Sequence, residues 1–139
     1  MNHQTLQYYS LTLMLWALCP VVGGCQSSVP GPEKFEVSGE VTFSGQPVPT
    51  GTIIFEPDSA KGNSGPGGGG AIKDGHFVTY AGKGVVGGPY IARISGFTGT
   101  PKKEDGEEIL EGDPLFAEYR TEVEFPKKNT QHDFEVPTN

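Results

Sequence analysis

Residues 35–56 have the sequence FEVSGEVTFSGQPVPTGTIIFE, and this stretch decides the fold class. Its first part alternates apolar residues or glycine with polar residues, a period typical of a strand with one face in the core. The inward positions are Phe35, Val37, Gly39, Val41 and Phe43. Glycine and proline at 45–51 indicate a turn, and the β-branched run at 52–56 predicts a second strand.

The rest of the chain continues in short β-prone runs separated by turn residues. The Asp74-Gly75 pair between two such runs predicts a hairpin. Further strands are predicted at 89–95, 121–125 and 131–136. About seven short strands without a long helical pattern predict an all-β fold, a single antiparallel β-sandwich.

Three connecting segments are predicted from composition. Glycine dominates residues 61–70, which predicts a mobile loop that is dispensable to the fold. A second glycine-rich connection covers 82–88. The acidic segment 99–118 is predicted to be an insertion with a short helical turn around 107–111.

The N-terminal segment has the features of an export signal. An apolar run from Leu11 to Leu18 is too short to span a bilayer. It is followed by Val22-Gly23-Gly24-Cys25, which resembles a bacterial lipobox. Cleavage between Gly24 and Cys25 would leave Cys25 as the first mature residue, carrying lipid such as palmitate. The alternative is an ordinary secretory signal in which the cysteine after Gly-Gly is coincidental.

The predicted organisation is a lipoprotein signal peptide at 1–24, a lipidated N-terminus and tether at 25–34, and one β domain at 35–137. The second thiol, Cys19, would leave with the signal peptide, so the mature chain would have no disulfide. We expect a lipid-anchored protein of the cell envelope, exposed to the periplasm or the exterior. Gln26 in place of aspartate after Cys25 favours the outer membrane.

All charged residues lie beyond Cys25, and the formal net charge is -7. Binding to nucleic acid depends on clustered basic side chains. Here the densest charge cluster, residues 104–124, is acidic. We therefore expect no nucleic-acid partner and interpret the acidity as a solvated surface.

The sequence contains no pattern that supports catalysis or a cofactor, and we expect neither. Two glycine triplets match the spacing of a dinucleotide fingerprint, but strand-like sequence follows each, and the fingerprint needs a helix N-terminus. They are Gly65, Gly67 and Gly70, and Gly82, Gly84 and Gly87. Neither Ser64 nor Ser95 lies in a Gly-x-Ser-x-Gly elbow.

No metal site is expected either. His76 and His132, with Asp74 or Asp133, are candidate ligands, but no local spacing supports a zinc site. Six carboxylates offer oxygen ligands for calcium without the order of an EF-hand loop, so calcium binding stays open. They are Glu104, Asp105, Glu107, Glu108, Glu111 and Asp113.

The predicted β domain resembles the carboxypeptidase regulatory-like, transthyretin-like (prealbumin-like) β-sandwich of many small bacterial lipoproteins. Three segments carry the resemblance: 39–55 as the opening strand, turn and second strand, 74–77 as the hairpin, and 88–97 as a later strand. The match covers most of the mature chain. The resemblance implies a noncatalytic accessory, structural or binding module. We expect none of the attached peptidase, transporter or receptor domains that larger members of the family carry.

The favoured functional hypothesis is a noncatalytic, lipid-anchored envelope protein with a structural or protein-binding role. The alternative is a carbohydrate-binding module at the cell surface, since sugars commonly bind an exposed aromatic platform. Its candidate residues are Tyr80, Tyr90, Phe97, Phe116 and Tyr119. A coplanar exposed pair would favour sugar binding, and burial of all five would favour a structural role. A hydrolase would need polar groups that converge in a pocket.

Overall fold

The computed structural model describes residues 30–138, and these form β-strands, turns and one short 3-10 turn (Ser59–Lys61). The strands are β1 (Val37–Phe43), β2 (Gln46–Pro47), β3 (Thr50–Pro57), β4 (Gly68–Lys73), β5 (His76–Val78), β6 (Gly88–Phe97), β7 (Lys102–Glu104), β8 (Glu107–Ile109), β9 (Tyr119–Phe125), β10 (Thr130–Gln131) and β11 (Phe134–Val136). The predicted signal peptide, Gly24 and Cys25 lie outside the described residues.

Nine of the strands form one hydrogen-bonded sheet in the order β10-β1-β5-β4-β3-β6-β9, with β2 and β11 also paired to β1. The sheet curls into a half-barrel. Most neighbours are antiparallel, whereas β10 and β11 run parallel to β1. The all-β class is therefore confirmed. The two-sheet sandwich is not confirmed, because the strands around the core belong to one continuous sheet, and there are more than seven of them.

Two Asp-Gly turns connect antiparallel strands. Asp74-Gly75 joins β4 to β5, which confirms the predicted hairpin. Asp105-Gly106 joins β7 to β8 in the same way. All four residues have positive φ, from 49° to 88°, as a type I′ turn requires. The helical turn predicted around 107–111 is wrong, because this turn folds the acidic segment into a hairpin.

The core lies on the inner face of the curled sheet. Alternate side chains of β1, β3 and β6 are fully buried, as the two-residue period requires. Phe55 lies near its centre, with ring centroids 5.0 Å from Phe125, 6.1 Å from Phe77 and 6.2 Å from Phe134. Val41 is fully buried as predicted, whereas Phe43 is only half-buried against the core.

The glycine-rich segment is part of the sheet. Gly68, Gly69 and Gly70 belong to β4, which lies between β3 and β5. A Cβ atom on Gly69 would lie 2.5 Å from the carbonyl oxygen of Ile53, and one on Gly68 would lie 2.5 Å from that of Lys83. The prediction of a mobile, dispensable loop over 61–70 is therefore wrong at its C-terminal end, where glycine lets three backbones approach closely.

The sheet has two ends that differ in charge. We call the end where β1 begins the proximal end and the end where β1 finishes the distal end. The strand register places Pro57, Gly68 and Phe125 at the proximal end, and Lys73 and Phe97 at the distal end. The acidic β7-β8 hairpin follows Phe97 and therefore extends from the distal end.

Candidate functional site

A cleft opens at the distal end between the two edges of the sheet. The edge strands are β9, whose one strand neighbour is β6, and β11, whose one strand neighbour is β1. The edge cleft has a volume of about 370 Å³. It is lined by Phe43, Leu115, Phe116, Ala117, Glu118, Tyr119, Arg120, Val136 and Pro137.

Packing of the segment before β9 gives the edge cleft its aromatic wall. The backbone N–H of Leu115 donates to the carbonyl oxygen of Gly96 over 2.9 Å, which holds this segment against β6. The rings of Phe116 and Phe43 then lie 5.0 Å apart at 48°. Gly96 makes this packing possible, since a Cβ atom there would lie 2.8 Å from the Phe116 ring. Half-exposed aromatic side chains are therefore held in place beside two open strand edges.

The charged groups beside the edge cleft are paired with one another. Arg93 donates to Glu56 over 2.5 Å and to Glu118 over 2.6 Å, and Arg120 donates to the second oxygen of Glu118 over 3.0 Å. Hydrogen bonds from Arg93 and then from Arg120 lower the pKa of Glu118. The hydrogen bonds of Arg93 to Glu118 and then to Glu56 raise the pKa of Arg93. Glu118 therefore stays ionised and separates two arginines that face each other across β6 and β9.

A second surface, the glycine groove, lies on the outer face of β3 and β4 and has a volume of about 430 Å³. It is lined by Thr52, Ile53, Ile54, Gly67, Gly68, Gly69, Gly70, Tyr80 and Lys83. Gly69 pairs with Ile54, and its carbonyl oxygen accepts from the N–H of Tyr80 over 2.9 Å. Because Gly69 has no side chain, bare backbone separates two exposed apolar residues. Ile54 is 44% exposed and Tyr80 is 57% exposed.

One lysine of the acidic hairpin pairs with two carboxylates, one on the hairpin and one in the segment that follows it. Lys102 donates to Asp113 over 2.7 Å and to Glu104 over 2.9 Å, and these bonds raise the pKa of Lys102 to about 12. Within residues 30–138 no group of three or more His, Cys, Asp or Glu side chains is placed to hold a metal ion.

Each of the four candidate metal ligands has a different contact or position in the structure. His76 lies 3.6 Å from Glu40 and is well exposed. His132 packs its ring 4.7 Å from that of Phe134, so it continues the aromatic cluster. The side chain of Asp133 accepts from the backbone N–H of Glu40 over 2.8 Å. Asp74 occupies the β4-β5 turn.

The two glycine triplets are not followed by a helix. The first runs into β4, and the second lies in the connection from β5 to β6. Ser64 lies in the loop before β4, and Ser95 lies within β6. Neither triplet therefore has the helix N-terminus that would hold a pyrophosphate.

The five aromatic candidates fall into three environments. Tyr90 is fully buried, and its hydroxyl donates to the carbonyl oxygen of Pro66 over 3.3 Å. Tyr80 is exposed on the glycine groove. Phe97, Phe116 and Tyr119 are half-buried. Neither outcome that would separate sugar binding from a structural role is met in full.

The edge cleft depends on the approach of β9 to β11, a long-range contact that no local sequence pattern signals.

Comparisons with protein-family models, with curated proteins and with solved structures found no match. Among residues 30–138 there is no helix of the length and apolar character needed to cross a membrane.

Proposed function

We propose that this chain is a noncatalytic, lipid-anchored protein of the cell envelope whose β domain binds another envelope protein through the edge cleft. The observation that carries the proposal is the position of the cleft. It opens at the distal end, whereas the chain enters the domain from Cys25 at the proximal end. A domain anchored in this way presents its cleft away from the bilayer.

The chemistry of the edge cleft supports recognition of an extended peptide segment. Its aromatic wall offers apolar contact, and β9 and β11 offer backbone groups that no neighbouring strand of the described chain uses. An added strand can bond to such an edge while its alternate side chains enter the cleft. Charged side chains along β9, Arg120, Glu122 and Glu124, would disfavour self-association and select the partner.

The pairing of charges in the edge cleft supports a noncatalytic role. A general acid needs a proton to donate near neutral pH, whereas the lowered pKa of Glu118 keeps that carboxyl group ionised. The arginines that lower its pKa are themselves tied to carboxylates. These paired groups form a polar rim beside the edge cleft.

The resemblance to the carboxypeptidase regulatory-like, transthyretin-like family is retained as part of this proposal. The opening segments on which it rests correspond to β1, β2 and β3, and the hairpin segment corresponds to the β4-β5 turn. Such a module would act as an accessory or binding domain.

The anchoring is tested by Cys25→Ser, with Cys19→Ser as the matched control. We expect Cys25→Ser to move the domain into the soluble exported fraction, since the acceptor of the lipid is lost. Cys19→Ser should stay with the membrane fraction, because that thiol would be removed with the signal peptide. Membrane retention of Cys25→Ser at the wild-type level would refute the lipoprotein assignment.

Binding through the edge cleft is tested by photo-cross-linking in intact cells. A photoreactive phenylalanine analogue at Tyr119 should give a discrete protein adduct, and the same analogue at Asn129, at the proximal end, should not. A second change within the cleft, Leu115→Glu, should remove the adduct without unfolding the domain, which circular dichroism would verify. An adduct from both positions, or from neither, would contradict the assignment of the cleft.

Carbohydrate binding is the second candidate function. Phe116 and Tyr119 offer partly exposed rings next to the polar groups of Glu118 and Arg120, a combination that suits a sugar. Titration of purified envelope polysaccharide, followed through tyrosine fluorescence, would show saturable binding that Tyr119→Ala weakens. Unchanged binding by this variant would exclude the cleft as the sugar site.

A further inference from the structure

We propose that the glycine groove and the apolar face beside it dock on the surface of the phospholipid bilayer and orient the anchored domain. This inference rests on the proposed lipid anchor at Cys25. It assigns the outer face of β3, β4 and β5 to the membrane and leaves the edge cleft for a protein partner.

The face is apolar and open. Val78 is 51% exposed on the outer face of β5, and Ile54 and Tyr80 flank the bare backbone of Gly69. Ala71 fills the position between Val78 and Thr52. An aliphatic pair next to a tyrosine suits the boundary between acyl chains and headgroups, where tyrosine places its ring in apolar and its hydroxyl in polar surroundings.

The chain approaches the membrane at the edge of this face. Phe35 and Val85 exchange two backbone hydrogen bonds of 2.7 and 2.9 Å, and Lys34 donates to the carbonyl oxygen of Gly82 over 2.8 Å. These bonds hold the end of the tether against the loop that carries Lys83. Eight residues, and so nine Cα-to-Cα steps, separate Cys25 from Lys34, so a fully extended tether spans at most about 30 Å. The tether therefore keeps the face within reach of the bilayer. Because a short tether gives a high effective concentration, even a weak contact between the face and the bilayer would be populated.

The charge distribution favours the same orientation on an anionic surface. Five lysines lie in segments at the proximal end: Lys34, Lys61, Lys83, Lys127 and Lys128. Acidic groups share this end, and they are Glu33, Glu36, Asp58, Glu122 and Glu124. Of the lysines, Lys61 is paired with Glu122 over 2.5 Å, whereas within residues 30–138 no ion pair involves Lys83, Lys127 or Lys128.

The distal end would be repelled by the same surface. Between residues 102 and 113 the chain carries six carboxylates and two lysines. Arg93, beside Ile54 on the outer face, is neutralised by Glu56 and Glu118, so it adds no net charge near the groove. The anionic surface of a bilayer acts only within about a Debye length. Docking tilted toward the Lys83 side of the outer face therefore brings five lysines and five carboxylates of the proximal end into that layer, which adds no net charge there, and keeps the acidic hairpin out of it.

The test uses the full chain, processed in cells, purified in detergent and reconstituted into vesicles. A polarity-sensitive dye is attached to a cysteine introduced by Val78→Cys, and in a separate preparation by Glu107→Cys on the distal hairpin. The vesicles contain phosphatidylcholine with or without phosphatidylglycerol, and a spin-labelled lipid serves as the quencher. We expect quenching at position 78 and none at position 107, with stronger quenching in the anionic vesicles.

Charge reversal at Lys83 sharpens the test. Lys83→Glu should lower the ratio of docked to undocked protein in anionic vesicles by roughly fivefold or more, since each lysine near such a surface contributes about that factor. Lys103→Glu on the distal hairpin is the matched control and should leave the ratio unchanged. Equal quenching at positions 78 and 107, or equal effects of the two reversals, would overturn the proposal.

The result also separates this inference from the anchoring on which it rests. Wild-type protein that takes up the thiol dye at Cys25 and fails to float with vesicles would refute the anchor, and the docking with it. Protein that floats without quenching at position 78 would refute docking alone. The dye at position 78 could also be shielded from water in detergent, before vesicles are added. That result would mean that another part of the chain or a second copy covers the face, and it would overturn membrane docking.

Discussion

Replacement of Phe55 by alanine should be among the most destabilising single changes in the domain. The side chain is fully buried, and three other aromatic rings lie within 6.2 Å of its centroid. Removing such a ring costs about 3–5 kcal/mol, from lost burial and from the cavity left behind. Small domains have a total stability of ~5–15 kcal/mol, so this change would leave little.

The matched comparison is Phe43→Ala. Phe43 is half-buried at the edge cleft, and its ring neighbour is Phe116. Its loss should cost about half as much, because less apolar area returns to water and solvent can fill the space. Urea unfolding of both variants, followed by far-ultraviolet circular dichroism, measures the difference. A larger loss for Phe43→Ala than for Phe55→Ala would refute this placement of the core.

Two further predictions follow from the sheet and its outer face. Gly69→Ala should lower the free energy of unfolding by more than ~1 kcal/mol, because its Cβ atom would approach the carbonyl oxygen of Ile53. Gly31→Ala, which meets no neighbouring atom, is its control, and equal unfolding midpoints for the two variants would contradict the role of Gly69 in the sheet. Glu118→Gln should destabilise the domain near neutral pH, and its difference from wild type should shrink on acidification. The reason is that the folded pKa of Glu118 is lowered, so its contribution is present above the unfolded pKa of glutamate and is lost as pH falls through the folded pKa. A pH series of thermal melts would show this, and a difference that persists unchanged in acid would refute the ion-pair explanation.

Local sequence patterns were sufficient for features set by neighbouring residues. The two-residue period of 37–43 determined that Val37, Gly39 and Val41 of β1 face the core, because successive side chains of a strand point to opposite faces. Asp74-Gly75 determined a hairpin, since few other pairs accept positive φ at both positions. Asp105-Gly106 carries the same signal, but its acidic neighbours led to the incorrect prediction of a helical turn.

Other features depended on contacts between residues distant in the chain. The composition of 61–70 suggests mobility, yet Gly68, Gly69 and Gly70 lie in a central strand because the backbones of β3 and the 78–83 segment approach them closely. The curl of a single sheet and the half-buried position of Phe43 follow from how β9 and β11 meet around the core. The sequence by itself determined the all-β class, the inward face of β1 and the Asp74-Gly75 hairpin, and the lipobox at Cys25 stays a prediction. Only the tertiary structure decided the edge cleft and the glycine groove, because each is formed by side chains and bare backbone that long-range strand pairing brings together.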